Sequence, residues 1–119
     1  MSKLLLVADA PWVVNEVRAA LGLGNWDIEE LDDPSKAALI SAEHEADAVV
    51  VDMQVASMGG MAVIRDIRQS TEELDRPHMV LLLDRSADTF LARRAGADAY
   101  VTKPITAAEL REALAPADG

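Results

Sequence analysis

The chain has 119 residues, half of them hydrophobic but only 3% aromatic, and carries a formal net charge of -10. That length suits one domain around one core, and so acidic a surface repels nucleic-acid phosphates, which disfavours direct DNA or RNA binding. Cysteine is absent, which removes disulfides, thiolate metal sites and cysteine nucleophiles.

In chain order, the first strand is expected over residues 3–8, where the apolar run LLLVA is closed by Asp9. This run is too short for a secretory signal, and no apolar stretch approaches the length of a membrane span. A cytoplasmic protein without membrane contacts is the expectation. A helix over residues 11–21 places Val14, Val17 and Leu21 on one face, and Gly22-Leu23-Gly24 ends it. That glycine pair follows a helix rather than a strand, so it lacks the context of a dinucleotide fingerprint. A second strand spans 26–31. Asp33 before Pro34 is a helix start signal, opening a helix that carries Ala37 and Ile40.

The third strand, 48–51, ends at Asp52. A helix over 60–70 turns Val63, Ile64 and Ile67 inward, and a fourth strand spans 79–83. A short helix over 88–95 stops at Gly96, a C-terminal cap. The fifth strand, 99–102, ends at Lys103-Pro104, and Thr106 with Glu109 forms a capping box for a last helix through Leu114. Strands alternating with helices predict an α/β fold: three layers, doubly wound, with five parallel strands. The expected domain covers residues 1–115, with 116–119 as a frayed tail.

Three charged residues, Asp9, Asp52 and Lys103, each close an apolar strand. In an open α/β sheet, ligands bind at the carboxyl ends of the strands. Two carboxylates and a lysine at that edge predict a site for a hard cation or a phosphoryl group. Taken singly each has a plainer role: Asp9 as a helix cap, Asp52 as a turn residue, Pro104 as a strand terminator. Pro104 alternatively aims the lysine through a cis bond. His44 and His78 are isolated and read as surface residues. Ser57 and Ser86 have no histidine near them in sequence, so a hydrolase triad has no support.

The combination LLLVADAPWVV, ADAVVVDMQVASMGGMAVIRDIR and RRAGADAYVTKPITAAEL resembles the receiver domain of bacterial response regulators, over essentially the whole chain. The resemblance implies a flavodoxin-like sheet of order 2-1-3-4-5. It implies that Asp52 accepts a phosphoryl group and that Lys103 contacts that group. It implies a Mg²⁺ site from Asp9, Asp52 and the backbone carbonyl of Gln54, and Tyr100 as the switch aromatic. A histidine kinase or other phosphodonor would act on it, and an unidentified protein effector would receive the signal. The implied role is a signalling module rather than an enzyme.

Three departures from the family pattern stand out. Ala8 replaces the first of two adjacent acids after the first strand, which predicts weakened Mg²⁺ binding. The hydroxyl residue at the end of the fourth strand falls on Leu82 counted from Pro77, or on Leu81 counted from Lys103. Either leucine removes the hydroxyl and uncouples Tyr100. Ala56 replaces a common proline.

The expected function is therefore an atypical stand-alone receiver acting through protein contacts, with an impaired switch. Two mechanisms stay open: phosphorylation on Asp52 with altered readout, or a phosphate-independent pseudo-receiver that binds partners in its resting shape. A flavodoxin-like cofactor domain is disfavoured because the loop Asp9-Ala10-Pro11 lacks glycines and hydroxyls. A Mg²⁺ hydrolase is disfavoured because Pro11 stands where a second acid is needed.

Overall fold

The structure is a computed structural model describing residues 1–22, 24–55 and 58–118. Expectations concerning Leu23, Ala56, Ser57 and Gly119 lie outside the described residues.

Five strands form one parallel sheet: β1 (Ser2–Val7), β2 (Trp26–Leu31), β3 (Ala48–Asp52), β4 (His78–Leu83) and β5 (Ala99–Thr102). Their spatial order is β2-β1-β3-β4-β5, as expected. The helices are α1 (Pro11–Leu21), α2 (Ala37–Glu43), α3 (Gly60–Ser70), α4 (Thr89–Ala95) and α5 (Ala107–Leu114). The three central strands are buried along nearly their whole length. They read as continuous Val/Leu runs because helices cover both faces.

Alternation along each strand divides the core in two. Leu4, Leu6, Val50, Val80, Leu82 and Val101 pack with Val13 and Val17 of α1 and Leu110 and Leu114 of α5. The intervening residues, among them Leu5, Val49, Val51, Leu81 and Leu83, pack with Ala37 of α2, Val63, Ile64 and Ile67 of α3, and Ala92 of α4. Each fully buried aliphatic side chain contributes about 1.5–3 kcal/mol of transfer free energy.

Local signals place most helix ends. The Thr106 hydroxyl accepts from the Glu109 N–H at 3.2 Å, starting α5. Gly96, at φ 87, ends α4 with its N–H on Ala92 and Arg93. Asp33 accepts from the Ser35 N–H at 3.1 Å, but it caps a 3₁₀ turn (Pro34–Lys36) that precedes α2. Helix α1 is capped by Ala10, so Asp9 is not its N-cap. A further 3₁₀ turn, Ala115–Ala117, continues beyond α5 into the segment expected to fray.

Helix α3 starts so close to β3 that a Cβ on Gly60 would lie 2.7 Å from the Asp52 carbonyl oxygen and 2.8 Å from Met53 Cα. Both are backbone atoms that cannot rotate away. Gly60→Ala is expected to lose about 1–3 kcal/mol, measured by urea unfolding. A loss below about 0.5 kcal/mol would show that this close approach yields freely.

Candidate functional site

Sheet register assembles the site. Val7 pairs with Val51, so Ala8 stands level with Asp52 and Asp9 lies one residue beyond. Leu83 pairs with Thr102, which brings the residues that follow, Asp84 and Lys103, side by side. The Lys103 N–H donates to the Leu83 carbonyl at 2.8 Å, extending the ladder to the edge. Parity does the rest: Asp52, Asp84 and Lys103 follow Val50, Leu82 and Val101, all on the α1/α5 face.

The Asp52 side chain is only 1% exposed. Its Oδ1 accepts from Lys103 Nζ at 2.7 Å and from the Gln54 N–H at 3.1 Å. Lys103 also donates to Asp84 Oδ1 at 2.9 Å. Its side chain is 18% exposed and that of Asp84 35%. The Lys103–Pro104 peptide bond is cis.

Burial works against the Lys103 ammonium, yet hydrogen bonds to Asp52 and then Asp84, with their charges, hold its pKa above the ordinary value. Burial likewise works against the Asp84 carboxylate. Hydrogen bonds from Lys103 and the Gln54 side chain, with the Lys103 and Arg85 charges, nonetheless hold it below the ordinary value.

The end of the fourth strand carries a further residue that the two counts passed over. Leu81 and Leu82 are both fully buried, on opposite sides of the sheet, and Leu82 pairs with Asp52 on the face that the acceptor aspartate shares. The strand runs on to Leu83, and the residue at its carboxyl end is Asp84. No hydroxyl stands there, as expected, but a carboxylate does. The strand end at Leu83 was expected from the sequence, but counting from Pro77 and from Lys103 stopped one or two residues short of it. The signal was nevertheless present: like Asp9 and Asp52, Asp84 is the charged residue that closes an apolar run.

Asp9 is exposed at the same edge, and Gln54 follows Asp52 in the turn after β3. Among the described residues, no three Asp, Glu or His side chains converge to hold a metal ion. Tyr100 lies on β5 away from the carboxylates and is 38% exposed. It lines a groove of about 600 Å³ with Arg93, Glu109, Glu112 and Pro116. His44 is on the surface, 2.6 Å from Glu29. His78 is not: its Nε2 lies 2.7 Å from the Ala113 carbonyl, and its side chain is 16% exposed. Asp98 accepts from the Met79 N–H at 2.8 Å, so its carboxylate is engaged within the domain.

A family profile for the response regulator receiver domain matches residues 4–115. The chain belongs to that family. Relatives of this receiver include the transcriptional regulatory protein TrcR of Mycobacterium tuberculosis, 31% identical over 109 residues, covering 91% of this chain and 42% of TrcR. The chemotaxis protein CheY-3 of Vibrio cholerae is 30% identical over 116 residues, covering 94% and 88%. This receiver thus spans under half the length of TrcR but most of CheY-3. Among solved structures, the receiver domain of the sensor histidine kinase PA1611 from Pseudomonas aeruginosa, with a magnesium ion in its active-site cleft, superposes with a TM-score of 0.84. It is 24% identical, with coverage of 99% and 98%. That likeness establishes the flavodoxin-like fold. Among the described residues, no helix is long and apolar enough to cross a membrane.

Removing Lys103 would leave Asp52 buried without its cation. Lys103→Met is expected to cost about 3–5 kcal/mol in urea unfolding, and the double variant Asp52→Asn/Lys103→Met to recover much of it. A single variant as stable as wild type would show that the pair contributes nothing.

The depressed Asp84 carboxyl adds stability that is present above its unfolded pKa, 3.8, and is lost as pH falls through the folded value. Lys103 acts oppositely: its contribution is present below 10.5 and is lost as pH rises through the raised folded value. The stability gap between wild type and Asp84→Asn should therefore hold steady from about pH 5 to about pH 8 and close in acid. Unfolding curves across that range that keep the same gap in acid would remove the carboxylate as its source.

Proposed function

We propose that Asp52 is the phosphoryl acceptor of this receiver and that Lys103 holds the transferred group. The supporting observation is the Lys103 ammonium at 2.7 Å from the buried Asp52 carboxylate, at the sheet edge where the family carries its chemistry. Burial leaves the carboxylate poorly hydrated, and a single point charge aims at it. An incoming phosphoryl group would take over that charge.

Hard oxygen donors for Mg²⁺ are present in Asp9, Asp52 and the Gln54 backbone carbonyl. Two carboxylates with a carbonyl suit an ion that keeps several waters. Ala8 beside Asp9, where the family pattern has a second adjacent acid, argues for weak binding. When bound, the ion would neutralise negative charge at the acceptor. The chain's own residues position the acceptor: the Gln54 N–H and Lys103 fix Oδ1, and Gly60 lets α3 approach the strand end.

On this reading the module is an atypical, cytoplasmic receiver served by a histidine kinase or a small phosphodonor. It signals through protein contacts, without nucleic-acid or membrane binding. The groove lined by Tyr100 and Arg93 is the surface offered to an effector. With Asp84 in place of a hydroxyl, phosphorylation has little leverage on Tyr100, because a ligand shifts an equilibrium only by its differential affinity for the two states.

A second reading, a phosphate-independent module, is favoured by one observation: Lys103 already holds a second anion in the resting state. Acetyl phosphate with Mg²⁺ followed by intact-mass measurement separates the two. The acceptor reading expects one added phosphoryl group on wild type and none on Asp52→Asn. Unmodified wild type would leave the phosphate-independent module.

A further inference from the structure

The Lys103 ammonium has three N–H donors. In the resting state one serves Asp52 Oδ1 at 2.7 Å and another Asp84 Oδ1 at 2.9 Å. Asp84 is held on this lysine by strand register and by the Gln54 side chain, not by chance proximity of two surface groups. Its carboxylate, ion-paired with the Lys103 ammonium at 2.9 Å, presents a negative charge beside the acceptor.

We propose that Asp84 is a tethered anion that competes with the phosphoryl group for Lys103 and slows transfer to Asp52. This rests on Asp52 being the acceptor. In the transfer step an Asp52 carboxylate oxygen attacks the phosphorus of a small acyl phosphate. The bond from phosphorus to the donor's bridging oxygen breaks, and acetate leaves with that electron pair. No proton is required. The acyl phosphate formed carries more negative charge than the carboxylate it replaces, and it needs the ammonium that Asp84 shares. Like charges at such separations disfavour one another, and partial burial weakens solvent screening. A neutral side chain at position 84 would impose no such repulsion and would release Lys103 to the incoming group. Asp84 therefore sets how readily the site charges, although it makes no bond to the reacting phosphorus.

The test compares wild type, Asp84→Asn and Asp84→Thr, each also carrying Asp52→Asn as a control. All are exposed to acetyl phosphate with Mg²⁺ and sampled over time by intact mass. Asp84 is on the exposed edge and Asn keeps its shape, and circular dichroism melts on the same samples verify folding. Both single variants are expected to gain one phosphoryl group at least about tenfold faster than wild type, a difference of about 1.4 kcal/mol in barrier. The Asp52→Asn versions should gain none. Equal rates in wild type and variants would overturn the competition while leaving Asp52 as acceptor. Slower labelling of both folded variants would also overturn it, because Asp84 would then be supporting Lys103. If no protein is labelled, the acceptor reading fails and the competition falls with it.

Discussion

One ammonium between two carboxylates organises the functional edge of this domain. Lys103 reaches Asp52 on β3 and Asp84 beyond β4 from its own place beyond β5, so it ties three strand ends together. A carboxylate buried to 1% exposure is costly unless it is paired, and the Lys103 ammonium and the Gln54 N–H supply the partners of Asp52. Much of the surrounding structure keeps that arrangement in place: the ladder bond from Lys103 N–H to Leu83, the turn that brings the Gln54 N–H back onto Asp52, and the glycine that admits α3.

Two neighbouring positions bear on the proposed role of this edge. Ala8 stands where an acid is usual after the first strand, and Asp84 adds an acid after the fourth. The edge carries alanine at position 8 and, at position 84, a carboxylate that engages the lysine. On the proposed reading these two changes act in the same direction. Less cation is available to neutralise an incoming phosphoryl group, and more fixed negative charge opposes it. On the same reading, the exposed Tyr100 and its groove form a surface whose coupling to the site differs from that of a receiver with a hydroxyl at the strand end.

The fold was legible because its signals are local or strictly periodic. Continuous apolar runs marked the five strands, and the 60–70 segment showed the helical spacing of Val63, Ile64 and Ile67, all now buried. Thr106 and Gly96 bounded their helices for reasons contained within one turn of chain. Parallel order followed from alternation of strand and helix. Asp52 and Lys103 were also legible, as charges closing apolar runs. The aspartate after β4 carried the same mark, yet counting along the chain gave Leu81 or Leu82. His78 was read as a surface residue because nothing within a few positions contacts it. Its partner, the Ala113 carbonyl, lies 35 residues away.

By itself, then, the sequence determined the α/β class, the strand order implied by the family pattern, the two-sided core and the chemical character of the site. Each of these depends on residue type and period, which survive in a one-dimensional string. Only the tertiary structure decided which residue shares Lys103 with Asp52. That choice rests on inter-strand register: where β4 stops relative to β5, and which face each terminal side chain takes. A one-residue slip would reverse every side chain on the strand, and register is decided by packing across the sheet, not by any segment alone.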